Sequence, residues 1–154
     1  MYDVTIRDVA PLRLAAMRHT GPYMDIGATF ERLEAWAAGR GLSGPDTRSF
    51  AVYYDDPWTT PPERLRSDAC LLLGLGVVEE GMVRMIDLPG GRHAVIRHKG
   101  PYAELDGAYR WLYREWLPAS GETPADRPCF EEYLNSARAL PPEEWLTEIG
   151  LPLA

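Results

Sequence analysis

One carboxylate of the chain stands where burial would be costly. The segment RPCFEEYL, residues 127 to 134, has the composition of a strand. Side chains on a strand alternate between faces, so Cys129, Glu131 and Tyr133 share one side. A carboxylate on an apolar, aromatic face loses its hydration, which raises its pKa unless a cation or hydrogen-bond donors offset the loss. Such a group suits two chemistries. It can be a negative anchor at the bottom of an aromatic cleft, fitted to a flat organic cation, or a proton donor or base for a reaction there. Two plainer arrangements stand beside these: the strand inverts, burying Phe130 and exposing Glu131, or Glu131 pairs with a nearby arginine.

The other reactive residue types form no comparable set. Cys70 and Cys129 are far apart and make no CxxC pair, and His19, His93 and His98 lack metal-ligand spacing, so neither a structural metal nor a cofactor is expected. Cys129 reads as a small apolar residue rather than a nucleophile, since no base adjoins it in sequence. Asp55, Asp56 and Glu63 form an acidic turn. GLGVVEEG lacks the lysine and the helix start of a phosphate loop.

The elements that must position Glu131 come from a duplication. RHTGPY at residues 18 to 23 returns as RHKGPY at 97 to 102, an offset of 79 (97 minus 18). At this offset Val4, Asp8, Arg13, Leu33, Pro45, Arg48, Tyr54 and Pro62 also recur, as Val83, Asp87, Arg92, Leu112, Pro124, Arg127, Tyr133 and Pro141. Two modules are therefore expected, residues 1 to 79 and 80 to 154, related by a pseudo-two-fold axis. In each, an apolar stretch (3 to 19, 82 to 98), broken near Pro11 and near Pro89, reads as a bent strand or a strand pair. Pro22 and Pro101 then open helices, where a missing N–H costs nothing. Tyr23, Ile26, Phe30, Leu33 and Ala37 give the first helix a buried stripe, and Tyr102, Leu105, Tyr109, Leu112 and Trp116 do the same for the second. Trp111 falls opposite that stripe, on the exposed side. Gly39 with Gly41, and Pro118 with Gly121, are the helix stops. His19 and His98, retained in both copies just before the GPY turn, suit a role in that turn. Strands follow over 48 to 54 and 68 to 77, and over 127 to 134 and 145 to 153.

Strand, helix, strand, strand, twice over, implies an α+β fold: an antiparallel sheet with two helices packed on it and a cleft where the modules meet. Adding 79 to Phe50, Val52 and Tyr54 gives Cys129, Glu131 and Tyr133, which sets Glu131 where the first copy has Val52.

Composition narrows the partners. With 154 residues, of which 45% are hydrophobic, the chain can build its own core. A net charge of −7 disfavours attraction to nucleic acid or anionic membrane, and no basic or apolar leader or membrane-length apolar run is present, so a cytoplasmic location is expected.

Taken together, the HxGPY helix starts, YYDDPWTTPPERLRSDAC, EWLPASGETPADRPCFEEYLN and LTEIGLPL resemble the gyrase-inhibitor-like family. Its domain also forms the effector-binding part of some AraC-type and MerR-type multidrug regulators. The resemblance spans essentially the whole chain. It implies paired strand-helix-strand-strand modules, and a ligand-contacting glutamate in an F-E-x-Y strand motif, matched here by Phe130, Glu131, Glu132 and Tyr133. It also implies a cleft for bulky, often cationic aromatic compounds, with Trp116 and Tyr133 nearest the acid and Tyr23, Tyr54, Tyr102 and Tyr109 as further lining or core residues. No helix-turn-helix or basic stretch precedes the domain, so the sensor part alone is expected.

Three functions follow from that resemblance. One is a stand-alone binding protein for hydrophobic, cationic small molecules. Another is a cofactor-independent hydrolase of cyclopropane-bearing alkylating compounds, with Glu131 as base for a water and Tyr133 placing a proton or polarising the acceptor carbonyl. The last is a protein-directed inhibitor with gyrase, or a separate regulator, as partner.

Overall fold

The computed structural model describes residues 2–74 and 76–154. Leu75, inside the expected strand 68 to 77 and the GLGVVEEG segment, lies outside the described residues. The strands are β1 (Thr5–Val9), β2 (Leu12–Thr20), β3 (Arg48–Tyr53), β4 (Arg66–Leu72), β5 (Arg84–Leu88), β6 (Gly91–Lys99), β7 (Cys129–Tyr133) and β8 (Leu146–Pro152). The helices are α1 (Gly27–Gly39), α2 (Leu105–Trp111) and the short α3 (Leu117–Ser120), the last two joined by a π turn over Leu112–Trp116. All ladders described are antiparallel, and the expected α+β architecture is the one observed.

Two compact units divide the chain, Met1–Val9 with Gly91–Ala154, and Ala10–Gly90. In the Ala10–Gly90 unit the strands run β3-β4-β2-β5, with α1 packed on β2 and β4. In the other unit they run β1-β6-β8-β7. Each unit thus takes as an edge the first strand of the other repeat. The links Ala10–Pro11 and Pro89–Gly90 explain why β1 does not fold back on β2, nor β5 on β6. A two-residue hairpin needs positive φ in its primed turn, and none of these four residues has it. Proline, with φ fixed near −65°, carries the chain onward instead.

Carboxylates latch the exchanged strands. Asp68 on β4 is fully buried and accepts from Arg18 of β2 and from Arg84, at the start of β5, both at 2.8 Å. Glu148 on β8 plays the same part with Arg97 of β6 at 3.3 Å and with Arg7 of β1.

Pro22 and Pro101 each precede a 3₁₀ turn, Tyr23–Asp25 and Tyr102–Glu104, that leads into the helix. His19 does serve its turn, its Nε2 lying 2.9 Å from the Pro22 carbonyl oxygen. His98 instead meets the Tyr2 hydroxyl at 2.9 Å. Tyr2 also explains a correction at Trp111. Its ring lies 5.3 Å from the Trp111 ring, so that tryptophan is half-buried under the N-terminal segment rather than exposed.

Pro118 is a second correction, because it sits inside α3 rather than ending the helix; Gly121, at φ 75°, makes the left-handed stop. A proline inside a helix lacks an N–H and crowds the carbonyl four residues back. The π turn lies just before it, with the Leu117 N–H donating to the Leu112 carbonyl, five residues back.

Ladder register shows that the offset between repeats changes. His19 faces Ser67 as His98 faces Thr147, and Phe50 faces Cys70 as Phe130 faces Gly150. The offset is 79 for the histidines but 80 for the later strands. Glu131 therefore corresponds to Ala51, not Val52, and Tyr133 to Tyr53, not Tyr54. Val52 corresponds to Glu132.

Candidate functional site

Two packing choices set the side on which Glu131 falls. Glu131 pairs with Ile149, which pairs with Ile96; both isoleucines belong to the core under the helix, with Leu105, Ala108 and Leu112. Phe130 takes the opposite side. It lies across Gly150 and meets the His93 ring at 5.4 Å. A Cβ on Gly150 would come within 2.2 Å of the Phe130 ring, so glycine is what lets the ring lie flat on β8. Both Phe130 and Glu131 are buried, which removes the choice between them that the strand pattern had posed.

Glu131 is 3% exposed and sits at the centre of a phenol cluster. The Tyr109 hydroxyl of α2 donates to one carboxylate oxygen at 2.7 Å, and the Tyr133 hydroxyl donates to the other at 2.8 Å. These donors repay part of the lost hydration and favour the carboxylate form. Tyr102 packs on Tyr133 with ring centroids 5.3 Å apart and on Trp145 at 4.3 Å. Burial, and then the charge of Glu131, hold the Tyr102 phenol above its ordinary pKa. One strand position away, the Cys129 thiol is pushed up to about 11 by burial, against the Tyr113 hydroxyl 3.2 Å away, which lowers it, and Glu131, which raises it. It is a protonated thiol at neutral pH.

The structure thus brings four sequence-expected residues together: Glu131, Tyr133, Tyr109 and Tyr102. Trp116 is held by the apolar core of the same unit, from the π turn. Tyr23 and Tyr54 have other duties in the Ala10–Gly90 unit. Tyr23 donates to the Asp55 carbonyl oxygen at 2.7 Å and packs edge-on against Tyr53, and burial pushes its phenol up to about 12. Tyr54 donates to Asp68 at 2.6 Å, beneath Arg18, and burial with that bond raises its pKa strongly. Trp145 and Tyr113 are additions that the sequence reading lacked. Trp145 follows the turn Pro142–Glu144 at the place of Leu65, and the matching PPE triplets at 61 to 63 and 141 to 143 were its signal.

The acidic turn is structural as well, since Asp55 binds Arg66 at 2.9 Å and the Asp56 carboxylate accepts from the Trp58 N–H at 2.8 Å. Among the described residues, no group of three His, Cys, Asp or Glu side chains could hold a metal, and no helix is long and apolar enough to cross a membrane.

Residues 2–154 match the GyrI-like small molecule binding domain. The chain belongs to that family. It is 38% identical over 158 aligned positions to a DNA gyrase inhibitor of Edwardsiella piscicida, covering 98% of this chain and 97% of that one. Its fold is shared with the EcmrR C-terminal domain, at a TM-score of 0.81 and 21% identity over 100% of this chain and 98% of that one. It is also shared with SAV2435 in its tetraphenylphosphonium-bound structure, at 0.68 and 15% identity over 99% and 94%.

Proposed function

We propose that this GyrI-like domain binds hydrophobic organic cations bearing aromatic groups, with the Glu131 carboxylate as anchor. The observation that carries this reading is the buried Glu131 with both oxygens held by phenol hydroxyls, at 2.7 and 2.8 Å, among the rings of Tyr102, Tyr133 and Trp145. Neutral donors fix the carboxylate in place, and aromatic faces attract a cation through their quadrupoles. At 3% exposure the carboxylate meets little solvent, so an arriving cation must displace neighbouring side chains; half-buried Tyr102 and Tyr133 are the ones at hand. The net charge of −7 favours the approach of a cation. The match to a small molecule binding domain and the tetraphenylphosphonium complex of a fold neighbour support the same reading.

Hydrolysis of a strained electrophile at Glu131 is the second reading, favoured by the Tyr133–Glu131 bond as a proton-sharing pair. It ranks lower because bonds donated to both carboxylate oxygens stabilise the anion and weaken it as a base for water. Fluorescence titration of the protein with tetraphenylphosphonium tests the first reading: saturable quenching is expected, and a linear response refutes it. Mass spectrometry of a cyclopropane-bearing alkylator over many equivalents tests the second. Consumption of the compound would move the assignment from binding to hydrolysis.

A further inference from the structure

The repeats keep an offset of 79 up to Leu33 and Leu112, both fully buried, and of 80 from Gly41 and Gly121, both at positive φ. One extra residue therefore lies between these points in the second helix, and the π turn absorbs it. Between Leu33 and Trp36 the first helix places Glu34 and Ala35. Between Leu112 and Trp116 the second places Tyr113, Arg114 and Glu115. Arg114 and Glu115 are exposed, whereas Tyr113 is half-buried and turned to the core, with its hydroxyl 3.2 Å from the Cys129 sulfur.

Two rows thus face each other. Cys129, Glu131 and Tyr133 follow one another along one side of β7, about 7 Å apart at two-residue steps. Tyr113 and Tyr109, four residues apart on the helical segment, meet the first two at Cys129 and Glu131. The two contacts differ in strength. A phenol bound to a carboxylate makes a charge-assisted bond, but a phenol bound to a thiol makes a weak one.

We propose that Tyr113, supplied by the inserted π turn, is a specificity-determining residue of the Glu131 site: its ring closes the Cys129 end of the row and limits the size of ligand that reaches the carboxylate. The statement of which ligands are limited rests on the cation-binding reading above. The steric role itself does not.

Two probes separate them. Tetraethylphosphonium and tetraphenylphosphonium are titrated into the intact protein, Tyr113→Ala and Tyr113→Phe, with circular dichroism to confirm folding. Tyr113→Leu carries the test should the alanine variant fail to fold. In the alanine variant the preference for the larger cation is expected to rise roughly tenfold or more, the scale on which pocket size discriminates between ligands. Tyr113→Phe, which keeps the ring, is expected to hold the parental ratio. An unchanged ratio in Tyr113→Ala overturns the proposal. If the parent binds neither cation, the cation reading fails, and the steric role is read from Cys129 itself. The rates of its alkylation by N-phenylmaleimide and by iodoacetamide are then compared by peptide mass spectrometry, with fully buried Cys70 followed separately. A ratio that shifts roughly tenfold towards the bulky reagent in Tyr113→Ala supports the role; no shift overturns it.

Discussion

Gly150→Ala probes the packing that turns Glu131 towards the helix. A Cβ there would stand 2.2, 2.4 and 2.8 Å from three atoms of the Phe130 ring, against an ordinary contact of about 3.4 Å or more. The ring would have to shift by about an ångström, but it is 3% exposed and held against His93. Overpacking of this kind costs about 1–3 kcal/mol, and the size of the overlap puts this site at the upper end. Phe130→Ala alone costs about 3–5 kcal/mol through lost burial and a cavity. In the Phe130→Ala background no ring remains to clash with, and alanine in a strand is then favoured over glycine by about 0.5–1 kcal/mol. The double-mutant cycle is accordingly expected to show a coupling of about 3–4 kcal/mol, the clash plus what alanine gains once the ring is gone. Urea denaturation of the four proteins, with a common m-value, measures it. If Gly150→Ala costs the same with and without Phe130, the aromatic ring does not lie on β8, and the assignment of Glu131 to the helix side loses its support.

Two further outcomes follow from the charges. Asp68→Asn removes the acid that joins Arg18, Arg84 and Tyr54. Because both arginines keep over a third of their side chains in solvent, the loss is expected near the low end for a broken buried pair, about 3 kcal/mol. Thermal melting should then fall by about 6–12 °C, and an unchanged melting point contradicts the latch. Carbamidomethylation of Cys129 should quicken about tenfold per pH unit from pH 7 to 9.5 without levelling, since the thiol titrates at about 11. A plateau near pH 8.5, where an ordinary thiol is half ionised, would show that the site is open to water.

Much of this arrangement was legible in the chain because local rules and packing agree. The GPY turns fix both helix starts, and the 3-4 spacing of Leu105, Tyr109 and Leu112 puts Tyr109 on the sheet side, where it meets Glu131. The exchange of β1 and β5 between units was not legible, since it depends on which strand an edge pairs with, and only the broken stretches at Pro11 and Pro89 hinted at it. The one-residue shift was missed for a different reason. Pro45 with Pro124 and Arg48 with Arg127 match at the earlier offset although the π turn has already moved the chain on by one. At that offset Tyr54 aligns with Tyr133, whereas the ladders match Tyr133 to Tyr53 and the Tyr54 hydroxyl holds Asp68. Tyr23 matches Tyr102 at the offset of 79, yet its hydroxyl is held by the Asp55 carbonyl. Glu131 itself was identified on the right side of its strand through the wrong counterpart, because residues two apart on a strand share a face whichever partner is aligned to them.

The charge of Glu131 is the centre of this account, and Glu131→Gln tests it with two probes of similar bulk, tetraphenylphosphonium and neutral triphenylphosphine oxide. Losing a buried partner of a bound charge costs about 2 kcal/mol or more, so the cation should bind at least about 30-fold more weakly to the variant. The neutral probe should change by less than about threefold, a difference under 1 kcal/mol. Equal losses for both probes would contradict the anchor.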